Sequence, residues 1–211
     1  MAAKSLSGPA VLRAAQGLGI IPADAEVSRQ AEVRWVAGEL EYVAWVVKEH
    51  TGALSWYLNV EDAKFGPLLD EYGRMAVRVR SDSNEMPWPR AVDGVLESFL
   101  LNGLGRAVRF VADRTDLCLL LADPKNVYRG DMYAWQFVPG YPARLVQALV
   151  LARDIGNPEL EAMVLEKLGE ESVRLPDGSS MDIMATAKSW VPRYAKELGM
   201  DIPIPWQELR Q

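Results

Sequence analysis

Apolar and polar residues alternate with a period of two through much of the middle of the chain and with a period of three to four towards its ends. After Ser7-Gly8-Pro9, the run AVLRAAQGLG predicts a short helix with a serine cap, an early proline and closing glycines. Two periods compete between Ser28 and Thr51. Val33, Val36, Leu40, Val43 and Val47 form a helical stripe, with Glu26 and Glu32 early, Lys48 and His50 late, and Gly52 as a stop. The segment ELEYVAWVVKEHTGALSWYLNV also reads as two strands around His50-Thr51-Gly52, and Gly38 and the β-branched residues weaken the helix. The stripe makes a helix the expectation for 28–51.

Ala53 to Val60 predicts a strand, and Asp62 to Tyr72 a short helix closed by Gly73. In RMAVRVR, Met75, Val77 and Val79 point one way and Arg74, Arg78 and Arg80 the other, as in a half-buried strand. Pro87-Trp88-Pro89 opens a helix on which Val92, Val95, Leu96 and Phe99 share a face. Arg106 to Ala112 and Leu117 to Ala122, around Asp113-Arg114-Thr115-Asp116, predict an antiparallel hairpin. Pro142 starts a helix that Gly156 closes, and Asn157-Pro158 restarts another that ends at Gly169, a helical hairpin. Asp177-Gly178 is a turn, Ser180 or Asp182 caps a last helix, and Pro192 kinks it before Gly199. The expected fold is α+β: a mostly antiparallel sheet from the central strands, N-terminal helices, a C-terminal helical hairpin and a kinked final helix. No repeat or linker interrupts the chain, so residues 1–211 are read as one domain.

Of the 211 residues, 49% are hydrophobic and 25% charged, which excludes disorder and low complexity. The first segment is broken by Pro9, Arg13, Gln16, Gly17 and Gly19, unlike a signal peptide, and no run approaches the ~18 apolar residues of a membrane span. A lone cysteine, Cys118, forms no internal disulfide, and a cytoplasmic protein is expected. A net charge of −6 opposes the phosphate neutralisation that nucleic-acid binding needs. Neither nucleic acid nor membrane is an expected partner, and the acidity suits a basic protein.

Catalytic signatures are scarce. His50 stands alone beside an expected helix end, and Cys118 sits among leucines as an inert apolar thiol. One histidine and one cysteine do not make a zinc site, and Asp177 to Asp182 lacks the ligand spacing of a calcium loop. QGLGII and NGLGRA complete no phosphate-binding motif. No cofactor or metal is expected. Asp113, Asp116 and Asp123 would gather at one end of the expected hairpin, and the Arg74, Arg78 and Arg80 face would suit an anion or an ordinary exposed strand.

The segment from Pro124 to Pro142, PKNVYRGDMYAWQFVPGYP, is the richest in aromatics. Tyr133, Trp135 and Phe137 alternate with Met132, Ala134, Gln136 and Val138, so one strand face is aromatic. That face packs on the helical hairpin or meets a partner. Tyr128, Arg129, Asp131 and Tyr141 flank it, and a mixture of Tyr, Trp and Arg is enriched at binding hot spots. Trp88 and Trp206, in proline-bearing loops, suit either contact or the clipping of a loop. The reading adopted is a non-catalytic protein-binding module, of inhibitor or immunity type, that occludes a partner through Tyr128, Arg129, Asp131, Tyr133, Trp135 and Tyr141. Two others stay open: a small-substrate enzyme using Asp113, Asp116, Asp123 or Asp131, and a self-associating assembly subunit forming a homo-oligomer.

Overall fold

A computed structural model describes residues 5–70, 74–125, 127–136, 140–174 and 179–209. Its fold is α+β, and its contacts cluster into two compact units. The first comprises Met1–Val60, Arg78–Ala112 and Tyr128–Trp135; the second comprises Glu61–Val77, Asp113–Val127 and Gln136–Gln211.

The first unit opens with α1 (Gly8–Gly17), capped by Ser7 as the sequence predicts. The sheet then runs through β1 (Glu32–Ala37), β2 (Leu40–Lys48), β3 (Ala53–Asp62), β4 (Ala76–Ser81) and β5 (Glu85–Pro87). Two helices follow, α2 (Gly94–Asn102) and α3 (Leu104–Val108), and the sheet closes with β6 (Val127–Arg129) and β7 (Met132–Gln136). The strand order is β1-β2-β3-β4-β7-β6, with β5 on the start of β3.

The helix expected over 28–51 is not formed. β1 and β2 pair antiparallel from Glu32 opposite Trp45 to Ala37 opposite Leu40. Gly38, with φ of 61°, supplies the left-handed residue of the turn, and Gly52, with φ of 83°, does the same before β3. Leu40, Tyr42, Ala44 and Val46 are buried while Glu41, Trp45 and Val47 are less so, a period of two that the buried Val43 interrupts. Valines and aromatics favour this pleated surface, and their density outweighs a stripe that fits both periods.

On the buried face of the sheet, Leu54, Trp56, Leu58 and Val60 have no exposed surface. The helices of this unit cover that face: α1 packs on β1 and β2, and Gly103, between α2 and α3, lies against the Trp56 indole. Asp93 caps α2, accepting from Val95 and Leu96 at 3.1 and 3.0 Å. Trp88 clips the chain start, its indole donating to the Leu6 carbonyl at 2.8 Å.

The second unit is mostly helical, with α4 (Arg114–Leu121), α5 (Tyr141–Ile155), α6 (Pro158–Gly169) and α7 (Ile183–Leu198). The hairpin expected over 106–122 is thus replaced by α3 and α4. Asp113 caps α4, accepting from Asp116 N at 2.9 Å, and Leu117, Cys118, Leu120 and Leu121 bury a helical face. A leucine run without alternating polar positions has no period-two signal, and a capping aspartate decides the outcome. The helix expected over 62–72 shrinks to one 3-10 turn at Gly66–Leu68; Tyr72 lies outside the described residues.

The helical hairpin forms as expected: α5 ends at Gly156, with φ of 73°, and Asn157 caps α6. Helix α5 is the centre of this unit, buried along most of its length and packed by α4, α6 and α7. A short ribbon, β8 (Ser172–Arg174) with β9 (Ser180–Asp182), precedes α7, whose cap is Asp182. The Asp177-Gly178 turn falls outside the described residues. Pro192 lies inside α7, which runs on to Gly199, in the left-handed region at φ of 64°.

Charges are also buried in this unit. The Arg114 guanidinium is 2.7 Å from Asp62 and 2.7 Å from Asp154, and Lys64 also pairs with Asp154. Asp62 accepts from the backbone of Lys64 and Phe65 as well, at 3.1 and 2.7 Å, so a buried carboxylate is fully used. The network ties the chain after β3 to α4 and α5.

Candidate protein-binding face

The β6–β7 hairpin turns through Gly130 and Asp131. Gly130, the first of the two, has φ of 70°, where a two-residue hairpin loop of the II′ kind takes glycine. The loop brings Tyr128 and Tyr133 together, ring centroids 5.1 Å apart, with Tyr128 59% exposed. Met132 and Ala134 are buried on the other side of β7. The aromatic position therefore faces away from the helices of this unit, and the small and flexible residues form the core.

Arg129 and Asp131 fix the hairpin. The Arg129 guanidinium lies 4.8 Å from the Phe110 ring centroid and donates to the Phe110 carbonyl at 2.9 Å. Asp131 pairs with Arg106 at 2.8 Å and accepts from Ser81 Oγ at 3.0 Å, while its own carbonyl accepts from Asp82 N. The Arg106 guanidinium first, and the Ser81 hydroxyl second, hold the Asp131 carboxyl below the usual carboxylate range. Both are expected contact residues that the structure shows to be engaged within the chain.

The same sheet face carries a second set that sequence reading kept separate. Val77 and Val79 have no exposed surface, so Arg78 and Arg80 between and beside them project to the face that bears Tyr133. Trp45 of β2 stacks on Tyr57 of β3 at 5.3 Å and 14°. The Arg78 guanidinium sits 5.0 Å from the Trp45 ring centroid, with its Nε donating to Asn59 at 3.0 Å. Arg78 lies 5.9 Å and Arg80 5.0 Å from the Tyr57 ring centroid. Burial, followed by the charge of Arg80, lowers the pKa of Arg78 from its ordinary value. Burial, then the hydrogen bond from its hydroxyl to Glu49 at 3.0 Å, raises that of Tyr57.

The signal for this cluster was the arginine alternation in RMAVRVR. Its missing half was the strand assignment of 40–48, without which Trp45 had no sheet to join. Arg74, expected on the same face, precedes β4 and belongs to the second unit.

Other expected residues fall elsewhere. Tyr141 is 6% exposed at the start of α5 in the second unit, and burial pushes its phenol up to about 12, so it is a packing residue and leaves the contact set. Trp135 is placed in β7 by its backbone; Phe137 and Val138 lie outside the described residues. Asp113 and Asp116 are occupied at the start of α4, Asp123 accepts from Lys125 N at 2.9 Å, and Asp131 belongs to the first unit. Among the described residues no three His, Cys, Asp or Glu are placed to share a metal ion. His50 is exposed in the turn before β3, not at a helix end.

A groove of about 440 Å³ runs between the Thr51–Ala53 turn and Glu85–Trp88. Lys48 lies 5.9 Å from the Trp88 ring centroid beside it, and no cluster of titratable groups converges there. Among the described residues no helix is long and apolar enough to cross a membrane. Comparison with known proteins finds no matching family profile, no similar curated protein and no similar solved structure.

Proposed function

We propose that the chain is a non-catalytic protein-binding module, of the inhibitor or immunity type, that acts by occluding its partner. One observation carries this reading. Trp45, Tyr57, Arg78, Arg80, Tyr133 and Tyr128 lie on a single sheet face, opposite the face that the helices of this unit cover. Trp, Tyr and Arg supply most binding energy at protein interfaces, because a rigid ring or planar guanidinium buries much surface with little loss of side-chain freedom. Strands of a well-packed sheet hold these groups in place before binding, which lowers the ordering cost of association. The enzyme reading draws no support from Asp113, which caps α4, from Asp123, which accepts from Lys125 N, or from Asp131, which pairs with Arg106.

The test is capture of a partner with a photo-crosslinking residue at position 128, compared with the same residue at Leu119, an exposed position in the second unit. A protein joined from 128, absent from 119, and lost in a folded Trp45→Ala, Tyr133→Ala variant is the expected result. Crosslinks only between copies of this chain, with a mass that grows with concentration, would replace the reading with self-association.

A further inference from the structure

The groove between Thr51–Ala53 and Glu85–Trp88 is built from fixed parts. Gly52, with φ of 83°, turns the chain from β2 into β3, and its N–H donates to the Glu49 carbonyl at 2.8 Å. Across from that turn, β5 is tied to the start of β3, with Leu54 opposite Met86 and Ser55 opposite Glu85. The Trp88 indole N–H is engaged by the Leu6 carbonyl at 2.8 Å, so the ring is held in one place. A site formed before anything enters it binds at a lower ordering cost.

Carbon surface from Ala53, Met86, Pro87 and Trp88 dominates the lining, and Glu85 is its one ionisable side chain. Glu85 is exposed and makes no hydrogen bond or ion pair among the described residues. Lys48 stands at the Trp88 side, 5.9 Å from the ring centroid. The groove is thus negative at Glu85 and positive beside Trp88.

Directly opposite residues of an antiparallel pair project to one face, so Glu85 and Pro87 share a face with Ser55 and Ala53 and, by the period of two, with Tyr57. Ala53 and Tyr57 are four residues apart on β3, roughly 13 Å. A partner seated on Trp45 and Tyr57 therefore has the groove within its reach. An extended chain suits it: β5 pairs with β3 and with no other described strand, which leaves one edge open. Pro87 has no N–H, so any ladder on that edge is short.

We infer that the partner lays a short, extended basic segment in this groove, with a lysine or arginine paired to Glu85 and an apolar neighbour on Pro87 and Trp88. This rests on the protein-binding reading above, and it places on Glu85 the preference for a basic partner that a net charge of −6 spreads over the whole chain. Glu85 repels an acidic segment, and Lys48 repels a second cation at the Trp88 side. One basic residue among apolar ones is selected over a polybasic run.

The experiment is NMR titration of the full chain with three capped heptapeptides of Ala, Leu and Pro that differ at the central residue: Arg, its uncharged analogue citrulline, or Glu. The expected result is that the Arg peptide shifts the Trp88 indole N–H and the Gly52 amide, and that its binding weakens with salt. It should bind about fivefold tighter than the citrulline peptide, the upper range for an exposed ion pair. Glu85→Gln removes that difference, and Glu85→Arg reverses the order in favour of the Glu peptide. Glu85 is exposed, so an unchanged denaturation midpoint is expected of both variants, and the comparison of peptides on the wild type needs neither. No shift at these groups with millimolar Arg peptide, equal binding of the citrulline peptide, or tighter binding of the Glu peptide overturns the inference. Shifts at the same groups on concentrating the chain alone overturn it in favour of a second copy as the occupant. A partner crosslinked at position 128 together with any of these failures retains the protein-binding reading and removes only the basic segment.

Discussion

The Tyr42 hydroxyl donates to the carbonyl of Val111 at 2.9 Å, across 69 residues of sequence. Tyr42 is 3% exposed, and its ring stacks on Trp35 at 5.2 Å. One hydrogen bond thus joins the middle of β2 to the chain that leaves α3. Tyr42→Phe keeps the ring stack and removes the donor from a buried carbonyl, a loss of about 1–3 kcal/mol. Urea denaturation should show a lower midpoint with an unchanged slope. An unchanged midpoint would mean the carbonyl finds another donor.

Gly103 is constrained by space; its φ of −94° lies outside the left-handed region that favours glycine. A Cβ there would lie 2.5 Å from the Trp56 indole nitrogen and 2.7 Å from the Phe99 carbonyl. Trp56 has no exposed surface and cannot step aside. Gly103→Ala should therefore destabilise by about 1–3 kcal/mol or more through overpacking, although alanine is the better helix former. Thermal denaturation reads the effect directly; a stabilised variant would show that the α2–α3 junction shifts freely.

Asp154 makes stability depend on acid. Its burial favours the neutral form, but the hydrogen bonds from Lys64 and Arg114 outweigh it and hold the carboxyl below the usual carboxylate range. A folded-state pKa below the unfolded value adds stability at neutral pH. That contribution is lost as pH falls from the unfolded value, near 4, through the lower folded value. Asp154→Asn should be less stable than wild type at pH 7, with the gap closing below about pH 4 as the wild type is protonated. A constant gap from pH 7 to 2.5 would assign the effect to packing.

Cys118 should be silent in the native protein. It has no exposed surface, burial pushes its thiol up to about 12, and its Sγ donates to the Ala148 carbonyl at 3.2 Å. A disulfide reagent at pH 8 should label it only when denaturant unfolds α4, at the rate of unfolding. Fast labelling without denaturant would show that α4 opens locally.

Much of the architecture was legible because caps and prolines fix helix ends locally. Ser7, Asn157 and Asp182 all cap helices at the positions the sequence indicates, whereas the helix expected to open at Pro87-Trp88-Pro89 begins only at Gly94, capped by Asp93. The segment from 28 to 51 was not, since Val33, Val36, Leu40, Val43 and Val47 satisfy a helical period while Val33, Trp35, Leu40, Tyr42, Ala44 and Val46 satisfy a strand. Only the sheet waiting on either side of β2 decides between them. The contact face was half legible for the same reason. Tyr128 and Tyr133 stand out within one hairpin, whereas Trp45, Tyr57, Arg78 and Arg80 meet only through strand order. Arg129 and Asp131 looked like contact residues because a side chain's type does not reveal whether its partner is internal.

Each unit is assembled from three separated stretches of chain. During synthesis, the first therefore waits for residue 135 before β6 and β7 can join β4, and by then α4 of the second has already emerged. A nascent chain halted at Ala112 would hold an unfinished sheet with β4 as an open edge, a template for pairing with other chains. No single cut releases either unit whole, so shortened forms of this protein should be sought by trimming the ends, not by dividing the chain.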